Sequence, residues 1–234
     1  MDRHRRELFV APARRDFTSR PRTTTVDSHE VRRQWAERSG EYSPAYYAHY
    51  GPNDTSEWVR AQFVETVGRE AAVLELGCSA GRHLAHLADD GFDDLTGIEL
   101  NPEAFTVMAD AYPSLAESGT FYETAIEDVV ETFDDGQFDA VFSVETLQHL
   151  HPDAAWVYDE LVRITDDVLV TVEHEGDTER ADESDPGVNY VSDEFPLYYR
   201  DWQRVFTERG LDQVAAVQGE RDTRRLFRTV DGAR

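Results

Sequence analysis

The stretch Val73-Leu74-Glu75-Leu76-Gly77-Cys78-Ser79-Ala80-Gly81-Arg82-His83-Leu84 decides the fold. Its apolar first half, beginning at Ala72, reads as a buried strand. Gly77 and Gly81 read as a tight turn, and the residues from Arg82 to Ala88 as an amphipathic helix. A strand that turns through glycine directly into a helix is the repeating unit of a parallel sheet covered by helices.

The same alternation extends outward in both directions. Upstream, Trp58, Val59, Phe63 and Val67 fall on one face of a helix expected over Ser56 to Val67. Downstream, strands are expected at Asp94 to Glu99, Gly119 to Thr124, Phe138 to Ser143 and Val168 to Glu173. Helices are expected at Pro102 to Ala111, Glu127 to Glu131, Asp153 to Ile164 and Tyr199 to Arg209. Two last strands, Asp212 to Gln218 and Thr223 to Val230, are joined by so short a turn that they must be antiparallel. Before this series, Val26 to Tyr50 is polar and aromatic, with Trp35, Tyr42, Tyr46, Tyr47 and Tyr50, and reads as short helices and a loop closed by the turn Gly51-Pro52-Asn53-Asp54.

Length and charge bound the possibilities. The 234 residues suffice for one α/β domain with an extension. All 23 strong bases are arginine, against 48 acids, for a net charge of −25. So lysine-free and acidic a chain resembles proteins of salt-accumulating haloarchaea, where multimolar salt screens charges beyond about 3 Å. The excess acid argues against duplex nucleic acid or an anionic membrane as the main partner. Residues 1–22 are the exception: seven arginines against three acids give +4, leaving −29 for the rest. Residues 1–25 read either as a disordered arm or as sequence ahead of the true start. Neither a secretory leader nor a membrane span is expected, and the single Cys78 leaves no internal disulfide or cysteine-based zinc cluster.

In an open parallel sheet, ligands bind beyond the carboxyl ends of the strands. A dinucleotide fingerprint needs glycine where this chain has Ser79 and Arg82, so a nicotinamide or flavin fits poorly. Glu99 lies at the mouth of the neighbouring strand, about 20 residues past the loop, where two carboxylate oxygens match a vicinal diol. The loop after Leu76, the Glu99 segment, Glu123-Thr124-Ala125-Ile126-Glu127-Asp128, and Phe138 through Pro152 resemble, in order and spacing, four motifs of the class I S-adenosylmethionine-dependent methyltransferases. The resemblance covers residues 72–152. It implies a Rossmann-like, seven-stranded, mostly parallel sheet with helices on both faces and the last strand antiparallel, over residues 55–234. Residues 26–54 would then form an N-terminal lid. It implies S-adenosyl-L-methionine as cofactor, with Gly77, Ser79 and Gly81 close to its methionine part and Glu75 facing its ammonium. Glu99 would serve the ribose, Ile126 and Glu127 the adenine, and Ser143 would complete the site. Asp128 is an equal candidate for the adenine acid, and Ser79 departs from the family's middle glycine.

Methyl transfer is an in-line displacement, so the enzyme aligns the partners and supplies a base only when the acceptor carries a proton. His149 or His151 would be that base; the competing role is a loop or capping histidine. An ionised carboxylate would need only arginine to position it. Arginines gather around Tyr199, Arg200 and Arg204 and around Arg224, and with Tyr46 and Tyr47 these are the candidate acceptor residues. The polar stretch Glu175 to Pro196 is a candidate lid. The acidic, lysine-free chain is similar in layout to haloarchaeal methyltransferases that esterify a hexuronic acid during surface-layer N-glycan assembly. That likeness implies an anionic, lipid-linked or nucleotide-linked sugar as acceptor and a cytoplasmic protein, peripheral at the membrane face. O- or N-methylation of a diffusible metabolite, and a donor-binding protein without catalysis or a partner-activating subunit, are the competing readings. Glu145, His149 and His174 lack tight metal-ligand spacing, so no metal is expected. No Asn-Pro-Pro-Tyr-like segment follows the fourth strand, which weakens nucleic-acid methylation.

Overall fold

A computed structural model describes residues 27–176, 187–191 and 195–230. The arginine-rich segment 1–25 and much of the candidate lid between Glu175 and Pro196 lie outside the described residues. The described residues open with α1 (Ser28–Ala36), α2 (Pro44–Tyr50) and α3 (Asp54–Thr66). Alternation follows: β1 (Val73–Leu76), α4 (Arg82–Asp89), β2 (Leu95–Glu99), α5 (Glu103–Ala111), α6 (Pro113–Ser118), β3 (Thr120–Glu123), α7 (Ile126–Val129), β4 (Phe138–Val144), α8 (Val157–Ile164) and β5 (Thr165–His174). The last elements are β6 (Gly187–Val191), β7 (Phe195–Tyr199), α9 (Trp202–Thr207), β8 (Leu211–Gln218) and β9 (Asp222–Thr229).

Seven strands form one sheet in the order β3-β2-β1-β4-β5-β9-β8. The first five are parallel, and β9 runs antiparallel to both of its neighbours, β5 and β8. The expected sheet is therefore present, with the reversed last strand inside it rather than at its edge. Successive residues face opposite sides: Val141, Leu169 and Phe227 join one core cluster with Trp202 and Phe206, while Phe142, Val170 and Leu226 join the other with Phe63 and Leu84. Phe63 of α3 meets Phe142 of β4 edge-on, with ring centroids 5.6 Å apart. Each ring is fully buried and contributes roughly 1.5–3 kcal/mol. Among the described residues no helix is long and apolar enough to cross a membrane.

Local chemistry sets the boundaries that position the site. Asn53 caps α3 by accepting from the Thr55 and Ser56 amides at 3.0 and 3.1 Å, and its own amide donates to Ser56 Oγ at 3.0 Å. Ser56 Oγ also contacts His83 Nδ1 at 2.8 Å, docking α3 on α4. Pro113 holds Tyr112 out of the helical region (φ −134°, ψ 61°), which ends α5 and opens α6, a helix not anticipated from sequence.

Two expected helices are corrected. The one expected from Asp153 starts at Val157, after a separate 3-10 turn, Pro152–Ala154, capped by His151. The one expected from Tyr199 begins at Trp202, where Asp201 Oδ1 accepts from the Arg204 amide at 3.0 Å. Ahead of it, Phe195–Tyr199 pairs antiparallel with Gly187–Val191 as a separate two-stranded ribbon, so part of the candidate lid is sheet. The aromatic, half-alternating Phe-Pro-Leu-Tyr-Tyr suits a strand better than the helix start expected there.

Candidate active site

A cavity opens at the carboxyl ends of β1, β2 and β4, roofed by α1 and α2. Its floor is the loop after β1, where Gly77 (φ +66°), Ser79 (φ +50°) and Gly81 (φ +80°) are left-handed. A Cβ at Gly77 would overlap the Thr146 side chain, and one at Gly81 would lie 2.8 Å from Leu115 Cδ2. Ser79 adopts this conformation without being glycine, at a cost of roughly 1–2 kcal/mol. Its amide donates to Glu99 Oε2 at 2.9 Å, and a hydrogen bond to a charged group contributes roughly 1.5–3 kcal/mol, enough to offset the strain. The serine at this position is therefore accommodated by Glu99.

Glu99 joins two strand ends, because its other oxygen accepts the Asn101 amide at 2.7 Å. Each oxygen keeps a further lone pair for a ligand hydroxyl. Burial raises the carboxyl's pKa, opposed by the amides of Asn101, Ser79 and Leu100. Glu75 lines the same cavity, is 1% exposed, and has Oε2 buried without a hydrogen-bond partner. Burial drives its pKa well above the usual carboxylate range, the Arg82 charge opposing and the Glu99 charge reinforcing. A buried acid with an unmet oxygen beside a glycine cradle fits an ammonium-bearing donor such as S-adenosylmethionine.

Ile126 and Glu127 line the cavity further along. Glu127 is the inner acid, with its side chain 9% exposed against 56% for Asp128. Arg32 of α1 bonds both, reaching Glu127 Oε1 at 3.1 Å and Asp128 Oδ1 at 3.0 Å. A second tether runs from Asn101 Nδ2 to the Arg38 carbonyl at 3.0 Å.

His149 and His151 both line the cavity, and their hydrogen bonds give them different surroundings. His149 Nδ1 donates to the Pro196 carbonyl at 3.0 Å, which leaves Nε2 as the acceptor, with the Gln148 amide group 3.4 Å away. Burial pushes its pKa down to about 4, opposed by the Pro196 carbonyl and aided by the Arg200 charge, so the ring is neutral. Trp35 packs on it, centroids 4.5 Å apart. His151 Nδ1 instead lies 3.2 Å from the Asp153 amide and 3.3 Å from Asp153 Oδ2, so this ring caps the turn that follows it.

Several candidate residues are directed elsewhere. Ser143 does not line the cavity; its hydroxyl donates to the buried Glu173. Arg200 is buried and donates to main-chain carbonyls of Leu147, Tyr198 and Leu150. Arg204 pairs with Glu208 on the outer face of α9 at 2.8 Å. Arg224 lies 5.9 Å from the centre of the Trp58 ring and bonds Thr55 Oγ1 at 3.3 Å. Tyr199 stacks on His174, and Tyr46 packs among Tyr42, Tyr47 and Tyr50 outside the cavity lining. Tyr47 does line it, beneath the Arg82 guanidinium at 4.6 Å, and burial raises its hydroxyl pKa.

The cavity also holds residues not singled out as acceptor contacts: Trp35, Arg38, Arg82, Glu145 and Arg221. Glu145 is left-handed (φ +51°), which no sequence pattern announces. Burial raises the pKa values of its carboxyl and that of Asp222, the Asp222 charge also raises that of Glu145, and Arg221 opposes the rise. The signals were present for Trp35, in the aromatic N-terminal stretch, and for Arg221, in the late arginine cluster. Among the described residues no three His, Cys, Asp or Glu side chains are grouped to hold a metal ion.

The description "Methyltransferase domain" belongs to the family whose model matches residues 74–167. The 2-methyl-6-phytyl-1,4-hydroquinone methyltransferase of Synechocystis sp. is 31% identical over 102 residues, 43% of this chain and 30% of that protein. The chloroplastic tocopherol O-methyltransferase of Arabidopsis thaliana is 35% identical over 94 residues, 39% of this chain and 26% of that protein. The chain thus spans less than a third of the length of the curated relatives it matches. Among solved structures, the 1,6-didemethyltoxoflavin-N1-methyltransferase of Burkholderia thailandensis, with bound 1,6-didemethyltoxoflavin and S-adenosylhomocysteine, superposes with a TM-score of 0.59 at 17% identity, covering 76% of this chain and 79% of that one. This likeness is one of fold.

Proposed function

We infer that the chain is an S-adenosylmethionine-dependent methyltransferase that methylates an oxygen of a small-molecule acceptor. The observation that carries the donor assignment is the unmet Glu75 Oε2, fully buried in a cavity at the ends of parallel strands. When bound, the donor supplies an electrophilic sulfonium methyl. Glu75 would hold its ammonium, Glu99 its ribose hydroxyls, and Ile126 and Glu127 its adenine, while Gly77 and Gly81 let backbone approach closely.

A hydroxyl acceptor has the best support. His149 is a neutral imidazole with Nε2 as acceptor, so it can take the hydroxyl proton as the methyl is transferred. Trp35, Tyr42 and Tyr47 line the same cavity and suit a ring-bearing substrate. The name of one curated relative, a tocopherol O-methyltransferase, points the same way, and that of the other, a hydroquinone methyltransferase, points to a ring-bearing acceptor.

Arg221 favours a second acceptor, the carboxylate of a hexuronic acid on a lipid-linked or nucleotide-linked glycan. Its guanidinium lines the cavity and makes no hydrogen bond among the described residues. A carboxylate would need positioning and no base. The lysine-free, acidic composition supports this reading, which puts the protein in the cytoplasm, at the membrane face when the sugar is lipid-linked. The loss of Arg200, Arg204 and Arg224 as acceptor contacts weighs against it.

Transfer of labelled methyl in multimolar KCl, to hydroquinones and to hexuronic-acid glycolipids, separates the readings. Base-stable label that depends on His149 supports the hydroxyl. Base-labile label that survives His149→Ala and depends on Arg221 supports the ester. Tight donor binding without transfer to either would turn attention to a non-catalytic donor-binding role.

A further inference from the structure

His149 sits on the single 3-10 turn Leu147–His149, too short to fix a side chain by its own hydrogen bonds. Two buried ionisable groups grip this turn from opposite ends. Glu173, at the end of β5, is 0% exposed. It receives the Ser143 hydroxyl and the Thr146, Leu147 and Gln148 amides, the last three at 3.2, 3.1 and 3.2 Å. Arg200, 1% exposed, donates Nη2 to the Leu150 carbonyl at 2.7 Å and Nη1 to the carbonyls of Leu147 at 3.5 Å and Tyr198 at 3.3 Å. Neither forms an ion pair among the described residues. Ionisable groups buried without a counter-charge are tolerated only where such backbone partners satisfy them.

Arg200 does more than close the turn. By binding Leu147 and Leu150 on one side and Tyr198 on the other, it fixes the turn against β7. Pro196, the acceptor of the His149 Nδ1 proton, lies on β7 two residues before Tyr198. Glu173 fixes the other end of the turn to β4 and β5, and Gln148 Oε1 adds a bond from the His174 amide at 2.7 Å.

We propose that Glu173 and Arg200 are positioning residues for methyl transfer, which clamp the Leu147–Leu150 turn against β7 so that His149 is held as the Nδ1–H tautomer with Nε2 ready to accept a proton. The proposal rests on the reading of His149 as the base. Which ring nitrogen carries the proton is set by the hydrogen bond that the other makes, so losing the Pro196 contact releases the tautomer.

The test is made on the full chain with 15N-labelled histidine and bound S-adenosylhomocysteine, comparing Glu173→Gln, Arg200→Met and Arg200→Lys with the parent. The parent should show His149 as a single Nδ1–H tautomer at pH 7. Arg200→Met and Glu173→Gln should give a tautomer mixture and lose roughly ten- to a hundredfold in kcat for a hydroquinone acceptor, within the range a general base contributes. Donor affinity should stay within about twofold, because the donor residues lie on other loops. Arg200→Lys should restore part of both readouts, and in a His149→Ala background neither clamp substitution should reduce kcat further. A lower melting temperature with an unchanged tautomer would overturn the proposal and leave the pair a purely structural role. Full activity in His149→Ala would instead overturn the reading of the base, while the 15N spectrum still decides the clamp. Should Glu173→Gln not fold, Arg200→Met carries the same test.

Discussion

Arg32 on α1 reaches across 95 residues of sequence to Glu127 on α7, Nε to Oε1 at 3.1 Å, and the same guanidinium holds both oxygens of Asp128 at 3.0 and 3.2 Å. Because Ser28, Val31, Arg32 and Trp35 all line the cavity, this ion pair fastens α1 as a roof above the end of the cavity that holds Glu127, proposed here to receive the adenine.

Arg32→Ala should therefore speed release of S-adenosylhomocysteine more than it changes overall stability. The pair is partly exposed, so the expected effect is about 0.5–1 kcal/mol, or a few-fold in the off-rate, shrinking in concentrated KCl. Stopped-flow dissociation at low and high salt measures it; a salt-independent rate equal to that of the parent would remove the roof from the donor's exit path.

Glu99→Ala should weaken donor binding by two orders of magnitude or so, on the argument that ribose hydroxyls and two amides share one carboxylate. It should also cost about 1–3 kcal/mol of stability, because the Ser79 and Asn101 amides lose their acceptor. Glu99→Gln separates the two effects in calorimetry and thermal melts. Unchanged affinity in both variants would refute the ribose assignment.

Donor binding should release a proton from Glu75. In the free protein burial holds its pKa far above the carboxylate norm, and an ammonium placed beside Oε2 would favour the ionised form. Titration calorimetry in buffers of different ionisation enthalpy reads the proton directly, and Glu75→Gln should abolish it. Proton uptake, or release that persists in Glu75→Gln, would contradict the assignment.

The pH dependence of activity on a hydroxyl acceptor should lack the inflection near 6.5 of an ordinary histidine, because His149 stays neutral down to about 4. The stability sign is fixed by the same depression. His149 adds stability above pH 6.5 that is lost as pH falls toward 4, on the order of 3 kcal/mol relative to His149→Gln. Chemical denaturation of both proteins at pH 7 and pH 4.5 tests it; parallel stabilities would show the ring to be solvated.

Glu173 should tilt the other way. Its pKa is raised to about 7 by burial, against the pull of the Ser143 hydroxyl and the three amides. The parent should lose stability relative to Glu173→Gln as pH rises from about 4.5 through 7. A widening advantage of the parent over that interval would mean that the amides outweigh the desolvation.

The strand-turn-helix at residues 73–84 was legible because its signals are local: buried apolar residues and glycines where φ turns positive. The antiparallel last pair was legible for the same reason, the shortness of its turn. Side-chain destinations were not. Ser143 shares a strand face with Val141, and that parity points it at Glu173 instead of the cavity. Arg200 and Arg221 look alike in sequence, yet one is enclosed by Tyr158, Tyr198 and Trp202 and the other stands at the cavity wall. Arg200 lies between β7 and α9, where Tyr158 of α8 closes over it, and Arg221 lies in the turn between β8 and β9, a tertiary difference that local sequence does not encode. The roofing role of Trp35 depends on contacts to Phe195 and His149, 160 and 114 positions away, and no window-based reading reaches so far.

The placement of β9 bears on how the chain is made. Among the described residues β8 has β9 as its sole hydrogen-bonded neighbour in the sheet, and β9 leaves the ribosome after both of the strands it pairs with. Until residues 222–229 emerge, the flank of β5 is an open edge and β8, with Val214 and Val217 exposed, has nothing to pair with. Strands β1 to β5 can pair early during translation, but a nascent chain stalled before residue 222 would present two unsatisfied edges at once, a ready substrate for chaperones and for aggregation.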